Sequence, residues 1–351
     1  MLHSIQAYRG IAVLLVVLFH GTYKIEHYYG VAPFFGVFDY GFSGVHLFFV
    51  LSGFVILAAH IKDIGFPKKL FGYFKRRLIR IYPIYWLIFL VLGGWKLISI
   101  NVDVETFLIY SFLFVSEENF VIPVAWTLLH EIIFYTVFSA LIINKKLGVI
   151  TITAWFVLIL LNWNDPSIVL FHRFNLLFIF GLLAAILCRK FKRIDDKKYA
   201  SILKIFFPLG VLGFLVTSVY YSGLNVNVLS WQSHPVSIIG FGFASFLLIL
   251  SSASSEIEAA FKHQRILRLI GDASYSIYLV HLWSLSEFFK LIRSLTERTT
   301  GIILNDGMGQ SLFVSSVLLS IIVILSVLVG LIVHLKVEQP LLQLLRKKFI
   351  K

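Results

Sequence analysis

The sequence predicts an all-α, polytopic integral membrane protein with about ten transmembrane helices. We expect one membrane-embedded domain over residues 1–351, with both termini in the cytoplasm. Three observations support this: 59% of the residues are hydrophobic and only 14% charged, apolar segments recur along the chain, and basic residues cluster on alternate sides of them. Soluble domains carry roughly 25% charged residues. The composition therefore excludes a soluble enzyme, a disordered chain and a nucleic-acid-binding domain.

Ten segments are long and apolar enough to cross a bilayer, which takes about 20 residues per helix. They cover residues 5–23, 43–61, 78–98, 123–143, 148–163, 170–189, 203–222, 234–252, 271–290 and 311–335. The fifth segment, 148–163, is short for a full crossing. Segment 105–116 is shorter still and lies beside Glu117 and Glu118. We interpret it as an interfacial piece on the outer face.

The distribution of Lys and Arg sets the predicted orientation. With the N-terminus inside, 25 of the 31 basic residues lie on the inner side and 6 on the outer side. Such a bias is typical of cytoplasmic loops. The net charge of +13 therefore indicates topology and no nucleic-acid partner. The single cysteine, Cys188, excludes an intramolecular disulfide and a multi-cysteine metal site, and the chain has no zinc-binding motif.

Ionisable residues inside the predicted spans are the first functional candidates, because a charge at this depth costs about 3 kcal/mol. Arg9 and His20 lie eleven residues apart, about 16 Å along one helix. Glu131 lies about 12 Å and His281 about 15 Å inside their own spans. His20, Glu131 and His281 thus fall in one layer, as a buried polar cavity requires. For His281, and for His130 one position before Glu131, an equally good interpretation is a histidine that only hydrogen-bonds a neighbouring helix.

A basic cluster, FKRRLIRIYPIYW, follows the second span. On a helix, Arg76 and Arg80 share a face, and Arg77 and Arg80 are also close. Guanidinium groups at this spacing can hold phosphate oxygens in pairs. The alternative is a topogenic cluster that faces anionic lipid.

Seven strings occur in one order along the chain: IQAYRGIAVLLVVLFH, GVHLFFVLSGFVI, FKRRLIRIYPIYW, AWTLLHEIIFY, FIFGLLAA, GDASYSIYLVH and VEQP. Together they resemble the acyltransferase-3 family of bacterial integral-membrane O-acyltransferases, which modify surface and exported polysaccharides. The resemblance extends from about Ile5 to Pro340. It implies a multi-pass protein of the bacterial cytoplasmic (inner) membrane, of the form without a fused extracytoplasmic domain.

The resemblance assigns roles residue by residue. Arg9 and His20 match the catalytic arginine–histidine pair, and Glu131 matches the glutamate of a Trp-Ser-Leu-x-x-Glu pattern. Arg77 and Arg80 match an arginine pair implied to contact the acyl-CoA donor. Their neighbour Arg76 is a further donor-binding candidate. The remaining candidates support the substrate or the structure: Ser52 in a Ser-Gly-Phe turn with Gly53, Trp126, Tyr275, Tyr278 and His281.

Two positions depart from the family pattern. His46 stands where many members carry an aspartate, which puts an electrostatic role there in doubt. Its place near the outer end of a span predicts an interfacial histidine. Thr127 replaces the usual serine and keeps the hydroxyl.

These residues would support acyl transfer from a thioester to a sugar hydroxyl. His20 is the candidate base, and Glu131 could fix its tautomer. Whether His20 is only a base or also carries the acyl group stays open. The expected donor is acyl-CoA, with acetyl as the family's usual group, and no metal is needed. The expected partners are the lipid bilayer and a glycan or lipid-linked glycan acceptor, while the oligomeric state is not set by the sequence. The alternative is a multi-span transporter, since carriers also place polar residues at the midplane.

Overall fold

A computed structural model describes residues 2–100, 104–112, 121–165, 167–192, 202–222, 233–300 and 311–349. All regular secondary structure in these ranges is helical, which confirms the predicted all-α class. Glu117 and Glu118, named beside the predicted interfacial piece, lie outside the described residues, as does Lys198 in a predicted inner loop.

The principal helices are α1 His3–Tyr29, α2 Ser43–His60, α3 Leu70–Ile100, α4 Val104–Ser111, α5 Trp126–Ile143, α6 Lys145–Leu161, α7 Leu176–Lys192, α8 Phe206–Ser222, α9 Pro235–Ser251, α10 Ser255–Lys262, α11 Arg265–Asp272, α12 Ser274–Thr300, α13 Leu312–Val333 and α14 Gln339–Phe349. Short 3₁₀ turns precede or join several of them, at Pro33–Gly36, Pro67–Lys69, Pro123–Ala125, Val169–Phe171 and Arg173–Asn175. A π-helical turn, His334–Glu338, connects α13 to α14.

Local sequence signals mark the start or end of several helices. Gly30 adopts a left-handed conformation with φ of 69° and closes α1, as glycine commonly does at a helix C-terminus. Asn144 separates α5 from α6, and its side chain accepts the backbone N–H groups of Lys146 and Leu147. Pro235 occupies the first turn of α9, where no N–H is needed.

Several helices are apolar and long enough to cross a membrane. Within the described ranges, five satisfy both criteria, and a sixth would be the pair α9 and α10, bent by 89°. The five are His3–Tyr29, Ser43–His60, Pro123–Ile143, Arg173–Phe191 and Leu312–Phe349. The count of ten spans and the orientation of the termini stay predictions. Residues 105–111 of the predicted interfacial segment lie in the short helix α4.

α2 and α7 cross at van der Waals distance through a pair of glycines. A Cβ on Gly181 would lie 2.1 Å from the carbonyl oxygen of Val50 and 2.8 Å from Cα of Gly53. Ser52 and Gly53 are therefore inside a continuous helix, and the expected Ser-Gly-Phe turn is wrong. The motif preserves a close helix crossing, because any side chain at Gly53 would collide with the backbone of α7.

α1 lies in the centre of the molecule and packs against α2, α11, α12 and α13. Gly10 and Gly271 allow α1 to approach α11 closely, since a Cβ on Gly271 would meet the carbonyl of Gln6 at 1.9 Å. Glu258 of α10 accepts the free N–H groups of His3 and Ser4 at the start of α1. This cap supplies the acceptors that a helix N-terminus lacks.

Candidate active site

A buried cavity opens between α1, α2, α3, α5 and α12. Its charged lining consists of Arg9, Arg77, Arg80 and Glu131. Its hydroxyl groups come from Ser52, Thr127, Tyr135, Ser274, Tyr275 and Tyr278. Helices far apart in the sequence thus meet around three guanidinium groups and one carboxylate, the arrangement expected where anionic and polar substrate groups bind.

Glu131 projects into this cavity from α5. Its carboxylate accepts the hydroxyl of Ser52 at 3.4 Å and the phenol of Tyr135 one turn along the same helix. The Ser52 contact joins α5 to α2. Among the described residues, no basic side chain lies within salt-bridge distance of Glu131, so its carboxylate is held by hydroxyl donors.

Arg9 lines the same cavity from α1. Its guanidinium donates to the Ser274 hydroxyl at 2.9 Å and, one turn back, to the Gln6 amide oxygen at 3.4 Å. Ser274 is the first residue of α12. The contact therefore fixes the position of Arg9 where α1 meets the start of α12.

The basic cluster of α3 divides in the structure. Arg77 and Arg80 line the cavity, whereas Arg76 is not part of its lining. Arg76 is 38% exposed and lies 3.5 Å from the carboxylate of Asp63. Arg80 makes no hydrogen bond or ion pair within the described ranges. The two arginines of the predicted donor pair thus reach the cavity together, and Arg76 faces a loop carboxylate.

Sequence reasoning missed the residues that hold Arg77. One Nη of Arg77 contacts Nε2 of His60 at 2.7 Å, and the other ring nitrogen of His60 lies 2.8 Å from Asp63. The Arg77 guanidinium also lies over the Tyr135 ring, 5.8 Å from its centroid. The available signal was an i, i+3 histidine–aspartate pair at the end of the second span, beside the basic cluster.

Two tyrosines of α12 form one wall of the cavity. The Tyr275 hydroxyl donates to the Ile81 carbonyl at 2.8 Å, and Tyr278 shares a 3.0 Å hydrogen bond with Thr127. Thr127 also donates to the Val124 carbonyl at 3.0 Å. The hydroxyl that Thr127 shares with serine therefore connects α5 to α12 through its hydrogen bond with Tyr278.

His20 and His281 lie together beyond Tyr278. The two imidazole rings are 5.1 Å apart between centroids. Nδ1 of His281 lies 2.7 Å from the Tyr278 carbonyl, so Nδ1 carries the proton and donates. Nε2 of His281 is buried with no hydrogen-bond partner in the described part of the chain. The ring of His281 also lies 5.6 Å from that of Tyr278, which connects the pair to the cavity wall.

The structure does not bring Glu131 to His20. The described contacts of the Glu131 carboxylate are Ser52 and Tyr135, and the described ring contacts of His20 are Phe19 and His281. The described contacts therefore do not support direct orientation of His20 by Glu131. Depth along a helix follows from the sequence, but direction around the helix does not. His281 occupies the neighbouring position instead.

Three further predicted residues lie in the core outside the cavity lining. The Trp126 ring packs against Phe174 at 5.2 Å and against His130 at 5.7 Å. His130 is hydrogen-bonded to Asn175 at 2.9 Å, which is the structural role weighed for it. His46 is fully buried and contacts the Ser237 hydroxyl at 2.9 Å. α9 and neighbouring aromatic rings cover it, so its side chain faces protein, while its place at the membrane interface stays a prediction.

Comparison with known proteins identifies the family. The family model for an acyltransferase domain matches residues 2–335, nearly the whole chain. The chain belongs to the acyltransferase-3 family. This acyltransferase is also 23% identical over 355 aligned positions to the exopolysaccharide production protein ExoZ of Rhizobium meliloti (strain 1021), covering 93% of the chain and 95% of that protein. No solved structure matches it.

Family membership and the apolar helices together define the general class of the protein. It is a membrane acyltransferase whose helices enclose a polar cavity. The family assignment favours an enzyme over the transporter that the midplane polar residues also allowed.

Proposed function

We propose that this acyltransferase transfers an acetyl group from cytoplasmic acetyl-CoA to a sugar hydroxyl of an exported or cell-surface polysaccharide, or of its lipid-linked precursor. The polysaccharide acceptor is supported by the likeness to the exopolysaccharide production protein of Rhizobium. The observation that carries the proposal is the joint presence of Arg77 and Arg80 in a cavity lined by Tyr278, whose ring lies 5.6 Å from that of His281, the neighbour of His20.

Arg77 and Arg80 are the proposed contacts of the donor phosphates. Guanidinium groups match phosphate oxygens in charge and in paired hydrogen-bond geometry. Arg80 supports this role because its donors are not used by other described residues, although it lines a buried cavity. Arg76 is a candidate for the same role, but it contacts Asp63 and does not line the cavity. We therefore leave it out of the proposed donor site.

His20 is the proposed general base. It would remove the proton of the sugar hydroxyl while that oxygen forms a bond to the thioester carbonyl carbon. The tetrahedral intermediate then collapses with cleavage of the C–S bond, and the proton returns from His20 to the departing thiolate. The products are the acetyl ester and free CoA thiol, so atoms and protons balance.

His281 is the proposed partner of His20. Its Nδ1–H is committed to the Tyr278 carbonyl, which leaves a lone pair on Nε2 toward its neighbours. That lone pair can accept a hydrogen bond from His20 once His20 is protonated. His281 would therefore orient His20 by accepting a hydrogen bond from it. A buried carboxylate has this role in a catalytic triad, whereas His281 would be a neutral acceptor.

Arg9 is the proposed electrostatic stabiliser of the developing oxyanion or of the donor. Its guanidinium is oriented by Ser274 and lines the cavity that the donor would enter. A fixed cation in a water-poor site stabilises negative charge that develops in the transition state. Glu131, held by Ser52 and Tyr135, would counterbalance the three arginines around it.

Purified protein in detergent or nanodiscs tests this proposal. We expect acetyl-CoA to be consumed with release of free thiol when the acceptor glycan is present, and much less when His20 is replaced by alanine. Mass spectrometry of glycans from strains with and without the gene should show an acetyl ester only when the wild-type protein is present. Unchanged glycan acetylation after gene deletion would contradict the proposal.

A further inference from the structure

We infer that His60 and Asp63 position Arg77 for the acyl donor. The inference rests on the proposed function, in which Arg77 contacts the donor phosphates. His60 is the last residue of α2, and Asp63 follows three residues later in the turn that leads to α3. Both are positioning residues, because they act through Arg77 and line no part of the cavity.

Hydrogen-bond directions determine the state of His60. The Asp63 carboxylate, 2.8 Å from Nδ1, can only accept, so the Nδ1 atom carries the proton. Nε2 then bears the lone pair that accepts the Arg77 guanidinium at 2.7 Å. Asp63, His60 and Arg77 thus form one directed chain in which each donor faces an acceptor. The carboxylate fixes the imidazole tautomer, and the imidazole fixes the arginine.

Two members of this hydrogen-bonded series, His60 and Arg77, are buried in the helix packing. His60 is 3% and Arg77 8% exposed. The His60 ring packs edge-on against Tyr73 at 4.9 Å, and the Tyr73 hydroxyl donates to the Tyr135 carbonyl at 3.0 Å. Their contacts join the end of α2 to α3 and α5, so His60 has little freedom to move away from Arg77.

The turn that carries Asp63 is tied to α5 as well. The Gly65 N–H donates to the Leu141 carbonyl at 3.0 Å, and Gly65 has a φ of +79° that a side chain would strain. Asp63 also faces Arg76 at 3.5 Å. The turn is thus attached to α5 and the Asp63 carboxylate to α3, which restricts the movement of the carboxylate that orients His60.

Arg77 is restrained by its neighbours while it lines the cavity. The guanidinium contacts His60 and the Tyr135 ring, while its Nε has no partner among the described residues. A guanidinium restrained in this way loses little conformational freedom when a phosphate binds. Removal of His60 should therefore weaken donor binding more than it slows the chemical step.

His60→Ala, His60→Gln and Asp63→Ala test the inference, with the Michaelis constant for acetyl-CoA and kcat measured separately. We expect His60→Ala to raise KM roughly tenfold with kcat within about twofold, the size typical of one lost hydrogen bond to a charged group. His60→Gln should largely restore KM, since its amide oxygen can accept the Arg77 donor. Asp63→Ala should give a smaller rise, because the imidazole stays but loses its orientation.

The chain offers a matched control. His3 also contacts an arginine through a ring nitrogen, at 2.8 Å from Arg268, but lies outside the cavity lining. His3→Ala should leave KM for acetyl-CoA at the wild-type value. An equal rise in both alanine variants would overturn the inference, because it would indicate a general loss of structure.

An unchanged KM in His60→Ala, or a loss confined to kcat, would also overturn the inference. If His60→Ala yields no folded protein, the KM of Asp63→Ala decides, and a wild-type value there overturns it. Binding of CoA to the wild-type protein distinguishes failure of the proposed function from failure of the role given to His60 and Asp63. Wild-type protein that neither binds CoA nor uses acetyl-CoA refutes the proposed function itself, whereas normal use with insensitive variants refutes only the role of His60 and Asp63.

Discussion

The imidazole rings of His20 and His281 lie 5.1 Å apart between centroids, although they belong to α1 and α12. Two histidines this close in a protein interior cannot both be charged without strong repulsion, so they titrate as a coupled pair. Two other buried histidines, His46 and His130, contact a hydroxyl and an amide instead of a second imidazole.

The first prediction concerns the base. His20→Ala should abolish glycan acylation, because it removes the imidazole that is proposed to take the hydroxyl proton. The measurement is ester content of surface glycans by mass spectrometry, at matched protein levels in the membrane. His27→Ala is the control, since His27 lies on the same helix but is exposed. Wild-type acylation in a normally expressed His20→Ala strain would refute the assignment.

The second prediction concerns the partner of the base. His281→Ala should lower kcat about 10²-fold and leave KM for acetyl-CoA nearly unchanged, since His281 would act through His20 and not on the donor. The pH dependence of kcat should also change, because a coupled pair becomes a single histidine. A change confined to KM would place His281 in donor binding instead.

The third prediction concerns the donor site. Replacing Arg77 and Arg80 together with glutamine should raise KM for acetyl-CoA, and the wild-type KM should rise with ionic strength. The control is the double glutamine variant of Lys68 and Lys69, which lie in the preceding 3₁₀ turn away from the cavity. Equal effects of the two double variants would show that only the overall charge of the loop matters.

The fourth prediction concerns the α2–α7 crossing. Gly181→Ala should destabilise the protein by about 1–3 kcal/mol, because its Cβ would overlap the Val50 carbonyl and force the helices apart. Thermal unfolding followed by intrinsic fluorescence measures this. Gly72→Ala is the control, since the nearest atom to its Cβ is the tip of Arg76 at 3.4 Å. We expect that variant to be neutral or slightly stabilised.

The fifth prediction concerns topology. In a Cys188→Ser background, a membrane-impermeant thiol reagent added outside should label a cysteine at position 117 but not one at position 68. The short fifth predicted span is the weakest point of the ten-span topology. A cysteine at Lys198 tests it, and outside labelling there would reverse the orientation of the segments that follow.

The sequence alone determined the class of the protein and the identity of most polar residues of the cavity. Its composition and apolar segments predicted an all-helical membrane protein, and this holds because a bilayer leaves few other ways to satisfy the backbone. Motif order predicted the family. Arg9, Arg77, Arg80 and Glu131 were all named from the sequence, and the structure brings them to one cavity.

Only the tertiary structure decided which of these residues touch. Depth along a helix follows from a fixed rise per residue, so the sequence could place His20, Glu131 and His281 in one layer. The direction of each side chain depends on how each helix is rotated against its neighbours, and packing sets that rotation through contacts such as the Gly53–Gly181 crossing. For this reason His20 meets His281 and not Glu131, and for this reason His60 and Asp63, unremarkable in the sequence, are the residues that hold Arg77.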